Sequence, residues 1–570
     1  VFFDKKSLFS SIKERKVKKR VVIIGLDGAT FDLIEPWVKK GLLPHFATLL
    51  EQGAYGRLDS VPNMRSAAAW TSFSTGKNPG KHGIYEFYDF IPSRYEIEFI
   101  NGGICAEPTL WKLLSDCGKK VIVINVPMTY PAQTVNGILI AGLDAPGPKS
   151  KGFCFPPEII TTLEKRFGEY ILEPGLTGYI IGGNIKAGIE KLYKELEQKK
   201  EIACYFMDNY EWDFFMVVFR SLDAVQHCFW KYMDPTHPQY NPKEAALWGD
   251  TILNAYRKID EAIGEIKKRL DANDLLLIMS DHGFGQKHPA SNQLNAWLAS
   301  KGYLNYHTPS DFITFLKWLY RLMAGITPRK YKEMMAKILP DFRNRIHSRL
   351  CFTGINWQAT KAYSDTLFPN IRINLKGREA EGIVEPGKEY HELIERIKED
   401  LQDCRDAKTG ERIVEEVLLR DEIYHGPYVF KAPDITIRWR EDIQISGIKI
   451  EKVQLKNVPA LTPFIPAEDY RVISGDHRRY GIFIAFGKEV RQVKVEGVNI
   501  MDLAPTTLAF LECPVLEDMD GRVIEEIFKH NLKVKQTSIS LPSHTNEKAD
   551  YSEEEVEDIK ERLRSLGYLE

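Results

Sequence analysis

Carboxylates and imidazoles stand at the ends of apolar runs in this chain, where an uncompensated charge is costly. Asp281 and His282 directly follow Leu275–Ser280 (LLLIMS). Asp27 closes the run Val21–Leu26 (VVIIGL). Asp223 and His227 are four residues apart, which puts both on one face if the segment is helical. His477, in SGDHRRYGIFIAFG, precedes another apolar run. Taken singly, each has an ordinary reading: Asp27 as a helix N-cap, His477 as a structural histidine. Taken together, three carboxylates and three imidazoles make six ligands. Two dications would bring four positive charges against three from the aspartates, and one alkoxide would leave the site near neutrality. Oxygen and imidazole ligands suit zinc, manganese or iron without deciding among them.

A nucleophile is available in Val61–Phe87, which offers Ser66, Thr71, Ser72, Ser74 and Thr75. Ser66 precedes three alanines that could start a helix. A hydroxyl at a helix N-terminus lies among free backbone N–H groups, a natural site for phosphate. An N-cap serine needs no such role, so position alone does not choose.

The elements that must hold these residues are readable from pattern. Val21–Leu26, Val121–Val126, Phe214–Phe219 and Leu275–Ser280 are short runs expected to be strands buried on both faces. Helical patterns follow near Phe31–Lys40 and over Ala245–Leu270. Alternating strands and helices predict an α/β fold with a central, largely parallel sheet, and ligands in such sheets sit beyond the carboxyl ends of the strands. A helix is expected over Lys388–Leu401, a strand at Ile371–Leu375, a return of the sheet at Gly481–Gly487, and a terminal helix over Ser552–Leu566.

Composition narrows the function classes. The 570 residues are 44% hydrophobic and 27% charged, with net charge −2. No global field draws the chain to nucleic acid or anionic lipid, and no basic–aromatic repeat supports nucleic-acid binding. The eight cysteines form no C-x-x-C pair, which argues against a disulfide framework or thiolate zinc site and favours a reducing, cytoplasmic setting. No apolar stretch reaches the eighteen residues of a spanning helix. The basic Lys13–Arg20 and the aromatic Phe312–Tyr320 leave a peripheral membrane contact or a homo-oligomer contact open.

The same blocks, in this order, resemble the alkaline phosphatase superfamily: Asp27 in IIGLDGAT, Ser66-Ala-Ala-Ala-Trp70-Thr-Ser with Thr75-Gly-Lys-Asn78-Pro and His82-Gly-Ile, Asp223-x-x-x-His227, Ser280-Asp281-His282-Gly, and Gly475-Asp-His477. The chain looks like the type I phosphodiesterase/nucleotide pyrophosphatase branch, and within it the group of phosphohydrolases and phosphomutases. Ile373–Tyr390, Tyr424–Tyr428, Ala432–Ile435 and Asn499–Phe528 fit that group too, so the resemblance spans about residues 20–530. It implies an alkaline phosphatase-like sheet flanked by helices. It implies one metal held by Asp223, His227 and His477, and a second by Asp27, Asp281, His282 and the Ser66 hydroxyl. Zinc is the first expectation for the two ions, with manganese or iron as alternatives. Ser66 would carry a phosphoseryl intermediate, where many relatives have threonine. Arg65 and Asn78 are candidates to hold substrate oxygens. Nucleotide-cleaving relatives often have asparagine shortly after His-Gly-Ile. This chain has Tyr85-Glu86-Phe87, which weakens transfer of nucleotide specificity.

The expected organisation is a basic lead-in (1–19), a catalytic domain (20–300 and 450–535), a helical insertion (301–355), an α+β subdomain (356–449) and a polar tail with a terminal helix (536–570). The expected activity is a metal-dependent phosphohydrolase acting on a phosphate ester, with phosphodiester cleavage first. Alternatives are a phosphomutase using the same serine and a non-catalytic metal-binding member of the fold. A sulfatase is disfavoured, because Ser66-Ala-Ala-Ala-Trp70 lacks the C/S-x-P-x-R pattern of that branch.

Overall fold

The computed structural model describes residues 18–307, 352, 354–365, 368–450, 472–538 and 551–565. The expected helical stretches within 312–350 and most of Lys13–Arg20 lie outside the described residues.

The continuous β-branched runs form the centre of a ten-stranded sheet. In chain order its strands are β1 (Val21–Leu26), β2 (Ala54–Asp59), β3 (Val121–Val126), β4 (Gly137–Ala141), β5 (Cys154–Phe155), β6 (Phe214–Phe219), β7 (Leu275–Met279), β8 (Tyr480–Phe486), β9 (Val493–Lys494) and β10 (Val498–Asn499). Across the sheet the order is β9-β2-β8-β7-β1-β6-β3-β4-β5, with β10 also paired to β2. Neighbours from β7 through β1, β6 and β3 to β4 run parallel. β8 is antiparallel to both β7 and β2.

Why these runs are unbroken is visible in the packing. Val22 and Ile24 of β1 enter one hydrophobic core and Val21 and Ile23 the other, so both faces are covered. Helices pack on the two faces. Those that matter for the site are α1 (Phe31–Lys39), α2 (Ser66–Thr75), α3 (Ser221–Met233) and α4 (Glu553–Ser565). The helix expected over Ala245–Leu270 is two, Pro242–Trp248 and Thr251–Lys267, broken at Gly249–Asp250. Glycine is a poor interior helix residue, and here it caps the first segment.

A smaller antiparallel sheet joins Ala362–Tyr363, Asn370–Ile373, Ile435–Trp439 and Val414–Leu419. The helix Lys388–Gln402 covers it through Leu393, Ile394, Ile397 and Leu401. A two-stranded ribbon pairs Gly283–Gln286 with Gly475–Arg478 and sets Phe284 opposite His477. That pairing carries His477 from a distant part of the chain back to the end of β7.

Candidate metal centre

Three parallel strands deliver their following residues to one edge of the sheet. Asp27 follows β1 and Asp281–His282 follows β7. Arg220 follows β6 and opens α3, which carries Asp223 and His227 on successive turns. Gly28 turns the chain sharply after Asp27 with a positive φ of 70°, and its N–H donates to Asp281 Oδ1 at 3.2 Å. A Cβ there would stand 2.8 Å from the Phe284 ring, so only glycine fits without a shift.

Two groups result, each with ligand atoms within 4.8 Å of one another: Asp223, His227 and His477, and Asp27, Asp281 and His282. All six residues are buried. In the first group Asp223 Oδ1 lies 3.2 Å from His227 Nε2 and 3.3 Å from His477 Nε2, and the two nitrogens are 3.1 Å apart. In the second, His282 Nε2 lies 3.2 Å from Asp281 Oδ2 and 3.6 Å from Asp27 Oδ1.

The hydrogen bonds fix which atoms face inward. His227 Nδ1 is 2.8 Å from Gly475 O, His477 Nδ1 is 2.9 Å from Met64 O, and His282 Nδ1 is 3.0 Å from Gly283 O. A carbonyl only accepts, so each Nδ1 carries the proton, and a ring deprotonated at Nε2 turns that lone pair into the site. Two such lone pairs 3.1 Å apart repel unless a cation lies between them. Asp27 Oδ1, Asp223 Oδ1 and Asp281 Oδ2 are buried and meet no hydrogen-bond donor. Taking an uncompensated carboxylate out of water costs several kcal/mol. Around a tetrahedral ion with bonds of about 2.0–2.1 Å, ligand atoms stand about 3.3 Å apart, which matches the first group. The donor set therefore fits divalent metal ions.

Electrostatics separates the groups. Burial raises Asp27 well above the usual carboxylate range, and Asp281 and Asp223 raise it further. Burial likewise pushes Asp281 up to about 7, although the Ser66 hydroxyl opposes the shift. For Asp223 burial is outweighed by His227 and His477, and the carboxyl lies well below its usual value. Burial lowers His282, and takes His477 down to about 3.

Ser66 is the first residue of α2 and is wholly buried, with Oγ 3.1 Å from His282 Nε2. It therefore adjoins the Asp27–Asp281–His282 group. Outer contacts hold the ligands: Trp70 Nε1 donates to Asp27 Oδ2 at 3.3 Å, and Arg220 Nη2 lies 3.4 Å from Asp223 Oδ2.

Arg65 is buried beside Ser66 and its Nε donates to Glu86 Oε2. Asn78 is committed elsewhere: its Oδ1 caps the helix Pro79–His82 through Gly80 N, and its Nδ2 donates to Ile423 O. Neither Arg220 nor the Arg65–Glu86 pair is given a role by the sequence motifs. A charge immediately after the apolar run FFMVVF was the available signal for Arg220. The Arg65–Glu86 pair spans 21 residues and left none.

A protein-family model described as type I phosphodiesterase/nucleotide pyrophosphatase matches residues 21–477. No curated protein sequence matches the chain. Among solved structures, an inactive form of murine ectonucleotide pyrophosphatase/phosphodiesterase 5 in complex with AMP is 13% identical, with TM-score 0.44, covering 87% of this chain and 96% of its own. Phosphonoacetate hydrolase from Sinorhizobium meliloti 1021 is 14% identical, with TM-score 0.48 and coverage of 87% and 96%. A mutant of the alkaline phosphatase PafA is 14% identical, with TM-score 0.49 and coverage of 89% and 98%.

Proposed function

Since the chain belongs to the type I phosphodiesterase/nucleotide pyrophosphatase family, whose members are metal-dependent hydrolases of phosphate esters, we propose that it cleaves phosphodiesters at a two-metal site with Ser66 as nucleophile. One observation carries the reading: two buried ligand groups with inward lone pairs and donorless carboxylate oxygens, and a buried serine hydroxyl touching one of them.

In this reading Asp223, His227 and His477 hold one ion, and Asp27, Asp281, His282 and Ser66 hold the other. Bound there, divalent ions supply Lewis-acid charge that neutralises phosphate oxygens and lowers the pKa of a coordinated hydroxyl. The chain's own groups do the rest. Ser66 stands at the first turn of α2, and the N-terminal end of a helix favours the non-bridging oxygens of a phosphate. Its Oγ loses its proton and attacks phosphorus, the P–O bond to the leaving alcohol breaks as that oxygen takes up a proton, and the phosphoryl group with its remaining ester stays on Ser66. Water then attacks phosphorus and restores the Ser66 hydroxyl. Arg220 occupies one Asp223 oxygen and leaves Oδ1 for the ion. Arg65, neutralised by Glu86, is a candidate to meet substrate only if that pair opens. Zinc is the first candidate ion.

The test is turnover of bis-p-nitrophenyl phosphate beside p-nitrophenyl phosphate, with zinc or manganese. Faster diester cleavage is expected. A monoester preference would reassign the chain to phosphatase or mutase chemistry, and transfer to an added alcohol would identify the mutase. Absence of turnover with either ion would contradict the reading.

A further inference from the structure

The last described helix lies outside residues 21–477, yet it packs against the site. Ile559 and Leu563, one turn apart on α4, are 2% and 1% exposed. They enter a cluster with Ala67, Ala224, Phe87, Tyr88, Met128 and Leu143. Ala67 follows Ser66, and Ala224 follows Asp223. Two apolar side chains of α4 thus share one small core with the helices that carry the nucleophile and a metal-ligand candidate.

Polar contacts lock the helix in register. Arg562 Nη1 donates to Leu143 O at 3.2 Å and to Ala145 O, and Nη2 donates to Pro146 O. Just before the helix, the Tyr551 hydroxyl donates to Asp144 O at 2.7 Å, and its ring stacks on Tyr130 with centroids 6.0 Å apart. Arg562 also reaches inward electrostatically. Glu173, whose Oε1 is buried without a hydrogen-bond partner, feels both Arg220 and Arg562. Arg220 in turn contacts Asp223.

We propose that the C-terminal helix is a working part of the active site, with Arg562 as a positioning residue. Docked, α4 completes the apolar core shared with Ala67 of α2 and Ala224 of α3 and so sets the spacing of those helices. Undocked, Ser66 and Asp223 lose their common support, and the ion at Asp223, His227 and His477 is held less well. The inference rests on the two-metal reading, but not on turnover. Amides next to Ser66 and Asp223 report the helix whether or not a substrate is found.

The experiment uses the full chain with Arg562→Ala, Arg562→Lys and the double variant Ile559→Asn/Leu563→Asn. Hydrogen exchange is followed at Ala67–Trp70, Ala224–Cys228 and Glu553–Ser565, zinc affinity by chelator competition, and kcat and KM on bis-p-nitrophenyl phosphate. Arg562→Ala and the double variant should speed exchange in all three stretches and weaken zinc about tenfold. They should lower kcat about tenfold with KM within about twofold. Arg562→Lys should recover much of each. Release of the helix with unchanged exchange at Ala67–Trp70 and Ala224–Cys228 and unchanged zinc affinity would overturn the proposal. So would a rise in kcat on release, which would make the helix a block instead of a support. If the wild type turns over no phosphate ester, the hydrolase reading fails, and exchange and zinc affinity still decide this inference.

Discussion

The two ligand groups lie side by side but solve different electrostatic problems. Asp223, His227 and His477 set one carboxylate against two rings whose Nε2 atoms face each other at 3.1 Å. Asp27, Asp281 and His282 bury two carboxylates against one ring. The first group needs a cation to separate lone pairs, and its carboxyl ionises readily. The second needs a cation to offset two acids, and both acids are held toward the protonated form by burial. Protons should therefore compete with metal mainly through the carboxyls at the second group and through the imidazoles at the first. Because Ser66 adjoins the second group, the proposed nucleophile lies beside the group whose carboxyls take up protons.

The largest expected effect separates nucleophile from ligand. Ser66→Ala should cut turnover by about 10³-fold or more while metal content is kept. Asp281→Asn should lose turnover and also one equivalent of metal, with affinity falling by more than the roughly 10–100-fold typical when an outer partner of a ligand is removed. Full activity of Ser66→Ala with metal present would remove the serine from the chemistry.

A smaller effect is the dependence on pH. A ligand carboxyl must ionise to bind, so a raised pKa lets protons compete at higher pH. Zinc titrations should show affinity at one site falling as pH drops through about 7, the value to which Asp281 is raised. The metal-free protein should show the linked trend in stability. Its folded state binds protons at Asp27 and Asp281 more tightly than the unfolded chain does. Stability is then fullest below the ordinary carboxylate pKa and is lost as pH rises through about 7. Thermal unfolding with and without chelator reads this directly: the gain from zinc should grow toward neutral pH. Equal pH dependence at both sites would remove the contrast.

The smallest effect concerns one outer contact. Trp70→Phe deletes the N–H held on Asp27 Oδ2 and should weaken only the second ion, by about tenfold. Equal loss at both ions would show that the ring acts through packing instead.

What was legible in the sequence follows the same division between local and distant causes. VVIIGL, VIVINV and FFMVVF read as strands buried on both faces because no alternating polar residue interrupts them, and they form β1, β3 and β6. Charged residues at the ends of such runs stood out because burial there is costly. The antiparallel insertion of β8 between β7 and β2 was not readable, since a single apolar run does not encode the direction of its neighbours. Nor was the grip of Arg65 on Glu86, or the apolar core that Ile559 and Leu563 share with Ala67 and Ala224, which the fold alone brings together. Asn78 shows the converse case. Asn-Pro-Gly has the local signature of a helix start, and the structure uses its amide for that.

Metal stoichiometry decides whether the two groups each hold an ion. Wild type and Asp281→Asn, each dialysed against zinc at neutral pH and analysed for bound metal, should carry two equivalents and one. A wild type with fewer than two, or an Asp281→Asn that keeps the wild-type count, would contradict the two-group account.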